Sequence, residues 1–89
     1  MEDSRVPRVE MYSKTTCPYC VRAQRLLQQK GAQPEIYNLD AGGPKRGEMI
    51  ERSGRMTVPQ IFIDGRHVGG CDDLYALERE GKLDAMLAA

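Results

Sequence analysis

Two cysteines, Cys17 and Cys20, stand where the hydrophobic pattern of the chain changes period. Before them, Val9-Glu10-Met11-Tyr12 reads as a short strand between Pro7 and the polar run Ser13-Lys14-Thr15-Thr16. After them, Pro18 to Lys30 holds good helix formers and no interior glycine, with Cys20, Ala23 and Leu27 recurring at helical spacing. Thr16 is the expected N-cap, Pro18 suits the first turn, and Gly31 supplies the stop. A cysteine at such a strand-to-helix junction meets unpaired N–H groups and the positive end of the helix dipole, which favour a thiolate over a thiol. Lys14 adds positive charge from upstream. These positions make Cys17 the exposed nucleophile and Cys20, one turn deeper, the shielded resolving thiol.

The remaining chain alternates in the same way. Glu35 to Leu39 is a second short strand. Ala41-Gly42-Gly43 breaks it, and Pro44 opens a helix over roughly Lys45 to Arg52 that ends near Gly54. Gln60-Ile61-Phe62-Ile63 is the clearest strand, and Asp64-Gly65 is the preferred pair for a two-residue hairpin turn. Arg66-His67-Val68 returns antiparallel, Asp72 is placed to cap a helix over Asp73 to Glu80, and Leu83, Met86 and Leu87 mark a short C-terminal helix. The order β-α-β-α-β-β-α plus that last helix predicts an α/β domain. A right-handed crossover joins the first two strands, and the closing hairpin makes a mixed four-stranded sheet flanked by helices, the topology of a thioredoxin-like fold. With 89 residues the chain has room for one domain, read as 1–89 with a short charged tail over 1–8.

Composition narrows the partners. The chain carries 13 Lys+Arg against 13 Asp+Glu, a balance that argues against phosphate-driven nucleic-acid binding. No stretch approaches the roughly 18 apolar residues of a membrane span, and the N-terminus lacks the apolar core of a secretory signal. Three cysteines is an odd number, unsuited to a stapled secreted scaffold, so a cytoplasmic, reducing environment is expected. A zinc site built from Cys17, Cys20, His67 and Cys71 is the alternative use of the thiols. It is disfavoured because Pro18 opens a regular helix and His67 reads as a surface residue of a strand, so no metal is expected.

Two further segments carry chemistry. Thr57-Val58-Pro59 leads into the clearest strand, where the Val58–Pro59 bond is open to cis or trans. A cis turn there leaves the Val58 N–H and C=O free to pair with an extended peptide. In Gly69-Gly70-Cys71-Asp72-Asp73 the glycines permit close approach of a ligand, and Asp72 either binds an ammonium group or caps the helix.

Taken together, Cys17-Pro18-Tyr19-Cys20, Thr57-Val58-Pro59-Gln60-Ile61-Phe62-Ile63 and Gly69-Gly70-Cys71-Asp72-Asp73-Leu74 resemble a dithiol glutaredoxin in order and spacing. The resemblance runs from about Val9 to Leu87 and is greatest to the small bacterial glutaredoxins of the third type. It implies a glutathione-dependent reductase of protein–glutathione mixed disulfides and protein disulfides. Glutathione serves as co-substrate, with no tightly bound cofactor. It also implies that Pro59 is cis, that Cys17 attacks and Cys20 resolves, and that Lys14 and Arg46 reach the glycine carboxylate of glutathione. Tyr19 would flank the tripeptide, Val58 would pair with its cysteinyl backbone, and Thr57, Cys71 and Asp72 would surround its γ-glutamyl end, with Asp72 on the ammonium. The implied partners are glutathione and glutathionylated or disulfide-bearing proteins, ribonucleotide reductase being one candidate. The implied state is a monomer, without nucleic acid or membrane.

Overall fold

A computed structural model describes residues 7–88. Its elements are β1 (Val9–Ser13), α1 (Pro18–Gln29), β2 (Glu35–Asn38), α2 (Pro44–Ser53), β3 (Gln60–Ile63), β4 (Arg66–Gly69), α3 (Cys71–Arg79) and α4 (Leu83–Ala88). The sheet order is β2-β1-β3-β4, with β1 and β2 parallel and the other two pairings antiparallel. This is the mixed thioredoxin-like sheet expected from the element order.

Period-2 alternation sorts the strand residues between two cores. Val9, Met11, Ile61 and Ile63 join Ala23, Leu26 and Leu27 of α1, Leu74 of α3 and Leu83 of α4 in one apolar cluster. Tyr12 and Phe62 face the other way and pack with Leu39 and Met49 beneath α2. All five residues of β1 are buried because helices cover both faces of the central strand. The second core also contains charge. Glu10 is 5% exposed and accepts hydrogen bonds from Arg52 at 3.2 Å and from the Tyr37 hydroxyl at 2.8 Å. Burial pushes the Glu10 carboxyl up, but the bonds from Arg52 and Tyr37 outweigh it, and the group titrates below its ordinary value.

The hairpin forms as expected. Asp64 and Gly65 both take positive φ, 51° and 81°, the geometry whose twist matches the flanking strands. The fold takes in the residues just before β1. Pro7 is buried, and Arg8 belongs to the fold: its N–H donates to Asp64 and its guanidinium to Glu35. Residues 1–6 of the charged tail lie outside the described residues.

Candidate active site

The loop after β1 is pinned before the helix begins. Asp40 accepts the Thr15 N–H at 2.9 Å, and Asn38 donates to the Thr15 hydroxyl at 3.1 Å. The chain then enters α1 through Cys17, not Thr16. Cys17 is the N-cap residue, in an extended conformation, and its sulfur accepts the Cys20 N–H at 3.1 Å. The expected cap is displaced by one residue because Pro18 occupies the first helical position, which leaves the residue before it extended. The sulfur thereby takes the place usually filled by a Ser or Asp oxygen, and an orphan N–H of the first turn points at it.

Cys17 is partly exposed and Cys20 is buried. Burial, followed by the neighbouring Cys17 sulfur, raises the Cys20 pKa, while the Ser13 hydroxyl and the Lys14 backbone pull the other way. Cys71 is buried as well, and burial raises its pKa too. The two buried sulfurs are thus held as thiols. Across the gap, the Cys17 sulfur lies 3.9 Å from the Val58 carbonyl oxygen. The Val58–Pro59 peptide bond is cis, which closes the alternative left open by the sequence.

The loop carrying Val58 is held from behind. Gln60 is fully buried; its amide nitrogen donates to the Thr57 carbonyl at 3.1 Å and to the Thr57 hydroxyl at 3.2 Å. Its amide oxygen lies 2.7 Å from His67 Nε2, so His67 carries its proton on that nitrogen. His67 is an exposed residue of β4, as expected, and it also packs against Phe62 and, through Gln60, braces the Thr57–Pro59 turn.

The third segment also differs from expectation. Gly70, not Asp72, is the N-cap of α3, and the carboxylate of Asp73, the third residue of the helix, reaches back to accept the Gly70 N–H at 2.9 Å. The helix begins at Cys71, two residues earlier than the sequence pattern places it, so the capping position moves with it. Asp72 is left exposed and free of any capping role. Gly69, at φ +119°, answers a close approach within the protein. A Cβ there would collide with the Asp73 side chain.

These segments enclose a cleft of about 210 Å³ lined by Tyr19, Thr57, Val58, Pro59, Cys71 and Asp72. All six are among the residues singled out in the sequence. Arg55, Gln60, Gly70 and Asp73 line it too; Gly70 belongs to the glycine pair expected to let a ligand approach, while nothing in the local sequence gave Arg55, Gln60 or Asp73 a place in the site. Lys14 and Arg46 are exposed and stand outside this lining, on the loop after β1 and in the first turn of α2. Among the described residues, no cluster of three or more His, Cys, Asp and Glu is placed to hold a metal ion, so the zinc alternative is not assembled.

A dithiol at the start of the first helix, one sulfur half-open and facing a cis-proline turn, defines a thioredoxin-like thiol–disulfide oxidoreductase. Comparison with known proteins gives the family. The glutaredoxin family model matches residues 9–68. Glutaredoxin 3 of Escherichia coli K12 is 60% identical over 79 residues, covering 89% of this chain and 95% of that protein. A glutaredoxin of Pseudomonas aeruginosa is 51% identical, covering 94% and 100%. Among solved structures, the Brucella melitensis glutaredoxin aligns with a TM-score of 0.81 at 55% identity, covering 93% of this chain and 90% of that one. The buckwheat glutaredoxin–glutathione complex aligns at 0.83 with 37% identity, covering 91% and 76%. The chain belongs to the glutaredoxin family. It is a glutathione-dependent thiol–disulfide oxidoreductase with Cys17 and Cys20 as its redox-active pair.

Proposed function

We propose that the two cysteines divide the work unequally and that the cleft beside them binds the glutathionyl group. The observation that carries this is the Cys17 sulfur, half-exposed, held by the Cys20 N–H and set against the Val58 carbonyl. The Cys17 thiolate attacks the glutathione sulfur of a protein–glutathione mixed disulfide. A Cys17–S–S–glutathione bond forms, the original disulfide breaks, and the protein leaves as a thiolate that takes up a proton. A second glutathione, as thiolate, then attacks the glutathione sulfur of that adduct. Oxidised glutathione departs, and Cys17 is released as the leaving thiolate. On a protein disulfide, Cys17 is joined to the substrate; the Cys20 thiol then attacks the Cys17 sulfur, its proton passing to the departing substrate thiolate, which releases the reduced protein and leaves a Cys17–Cys20 disulfide. Two molecules of glutathione reduce that bond.

In this reading the Val58 backbone pairs with the cysteinyl unit of glutathione. Tyr19, Thr57, Pro59 and Cys71 form the walls, and Asp72, freed from capping, takes the γ-glutamyl ammonium. Lys14 and Arg46 lie outside the cleft lining and meet the opposite, glycine-carboxylate end. Glutathione is thus a co-substrate, and the protein partners are glutathionylated or disulfide-bearing chains, met by a monomeric enzyme in the cytoplasm. No helix among the described residues is long and apolar enough to cross a membrane.

The test is a glutathione-coupled assay on a small glutathionylated disulfide with wild type, Cys17→Ser and Cys20→Ser. Cys17→Ser should lose all activity. Cys20→Ser should retain most deglutathionylation but lose the dithiol route on protein disulfides. Equal loss in both variants on the glutathionylated substrate overturns the assignment.

A further inference from the structure

The γ-glutamyl end of glutathione carries two charges on one carbon, an ammonium and an α-carboxylate. A site that recognises it needs a negative group and a positive one. Asp72 supplies the first. Among the residues lining the cleft, Arg55 is the one cation. It stands between the end of α2 and Thr57, and its Nη1 donates to Asp73 at 3.0 Å. Asp73 is itself fixed, because the same carboxylate oxygen accepts the Gly70 N–H at the start of α3. The guanidinium is therefore tethered by one nitrogen at the cleft wall, about half exposed, with donors to spare on its other nitrogens. Gly70 and Cys71, at the N-terminus of α3, line the same wall, where first-turn N–H groups have no partner within the helix.

From this arrangement we infer that Arg55 is a specificity-determining residue that binds the α-carboxylate of the γ-glutamyl group, with Asp73 positioning it. The inference rests on the glutathionyl reading of the cleft given above and adds a residue to it. A planar guanidinium is suited to a carboxylate because it can offer two parallel N–H donors. The Asp73 pair matters for order more than for energy, since an ion pair this exposed contributes little stability. Asp72 and Arg55 then read the two charges of the amino-acid end separately. Each should discriminate against a thiol that lacks the corresponding charge.

The test uses the full chain with Cys20→Ser, so that reaction stops at the Cys17 adduct. The measured quantity is the equilibrium constant of exchange with a symmetrical disulfide, Cys17–SH + RSSR giving Cys17–S–SR + RSH. Three disulfides are compared: that of glutathione, that of 4-aminobutyryl-Cys-Gly, which lacks the α-carboxylate, and that of glutaryl-Cys-Gly, which lacks the ammonium. Arg55→Gln should lower the constant for glutathione about 10-fold, the scale of one charge-assisted bond, and change that for the aminobutyryl thiol less than about 2-fold. Arg55→Lys should restore part of the discrimination. Asp73→Asn keeps an acceptor for Gly70 but frees Arg55, and should give an intermediate loss on glutathione with the melting temperature little changed. Equal losses on both disulfides in Arg55→Gln, or no loss on either, overturn the role of Arg55. The glutathionyl reading is judged separately. Asp72→Asn must weaken glutathione and spare the glutaryl thiol, and its failure to do so removes that reading whatever Arg55 does.

Discussion

Gln60 sits where the fold and the active site depend on the same side chain, so replacing it by methionine is informative. Methionine has nearly the same length and shape but neither donates nor accepts as an amide does. Gln60→Met removes three hydrogen bonds: two donated to the Thr57 carbonyl and hydroxyl, and one accepted from His67. At about 1 kcal/mol net each, the loss is about 3 kcal/mol. Thr57 is exposed, so water can take over part of what its oxygens lose. His67 keeps its packing against Phe62. The net destabilisation should be about 2 kcal/mol, which lowers Tm by roughly 8–16 °C in a domain of this size. Urea unfolding with an unchanged m-value would establish that the native state, and not the unfolded ensemble, is affected. Because the lost bonds hold Thr57 next to Val58, the apparent KM for glutathione should rise as well. Gln60→Glu should be worse on both counts: it retains an acceptor for His67 but turns a carboxylate toward the Thr57 carbonyl at a fully buried position. A Gln60→Met protein within about 0.5 kcal/mol of wild type, with an unchanged KM, would refute the bracing role.

Asp72→Asn should raise the KM for glutathione about 10-fold while leaving Tm nearly unchanged, because Asp73 makes the capping bond to Gly70; a fall in Tm without a change in KM would count against it. Gly69→Ala should cost more than about 2 kcal/mol in chemical denaturation, since the new Cβ meets the Asp73 side chain and the backbone holds φ +119°. The pH dependence of stability should carry a His67 component. Burial, then Arg55, lowers its pKa from the ordinary 6.5, so the folded state resists a proton that the unfolded chain accepts. Stability from this source is complete above pH 6.5 and declines as pH falls through the lower folded value, and His67→Gln should flatten the profile just below pH 6.5.

Local signals in the chain were strong where a few adjacent residues decide the geometry. The change from strand to helix period around Cys17, the Asp64-Gly65 turn and the alternation in Gln60–Ile63 each depend on neighbours in sequence. The dithiol, and the order of attack proposed for it, follow from one such junction, and most of the cleft follows from three short motifs. The exact caps did not. Thr16 and Asp72 are both capable cap residues, and the choice of Cys17 and Gly70 turns on where each helix starts, which is fixed by packing against the sheet.

What the sequence could not reveal was pairing across distance. Arg55 and Asp73 are 18 residues apart, and Glu10 and Arg52 are 42 apart. Nothing in the local pattern of a charged residue tells which opposite charge it will meet, or whether it will end in a cleft or on an open face. Thioredoxin-like topology brings the end of α2 to the start of α3 and lays α2 over the central strand. Only then does Arg55 become part of the site and Glu10 become a buried carboxylate with partners. The covalent chemistry was therefore written in contiguous residues, because a helix terminus is a local electrostatic object. The recognition of the second charge of the ligand was decided by tertiary structure, because it needs two groups from distant parts of the chain held a few ångströms apart.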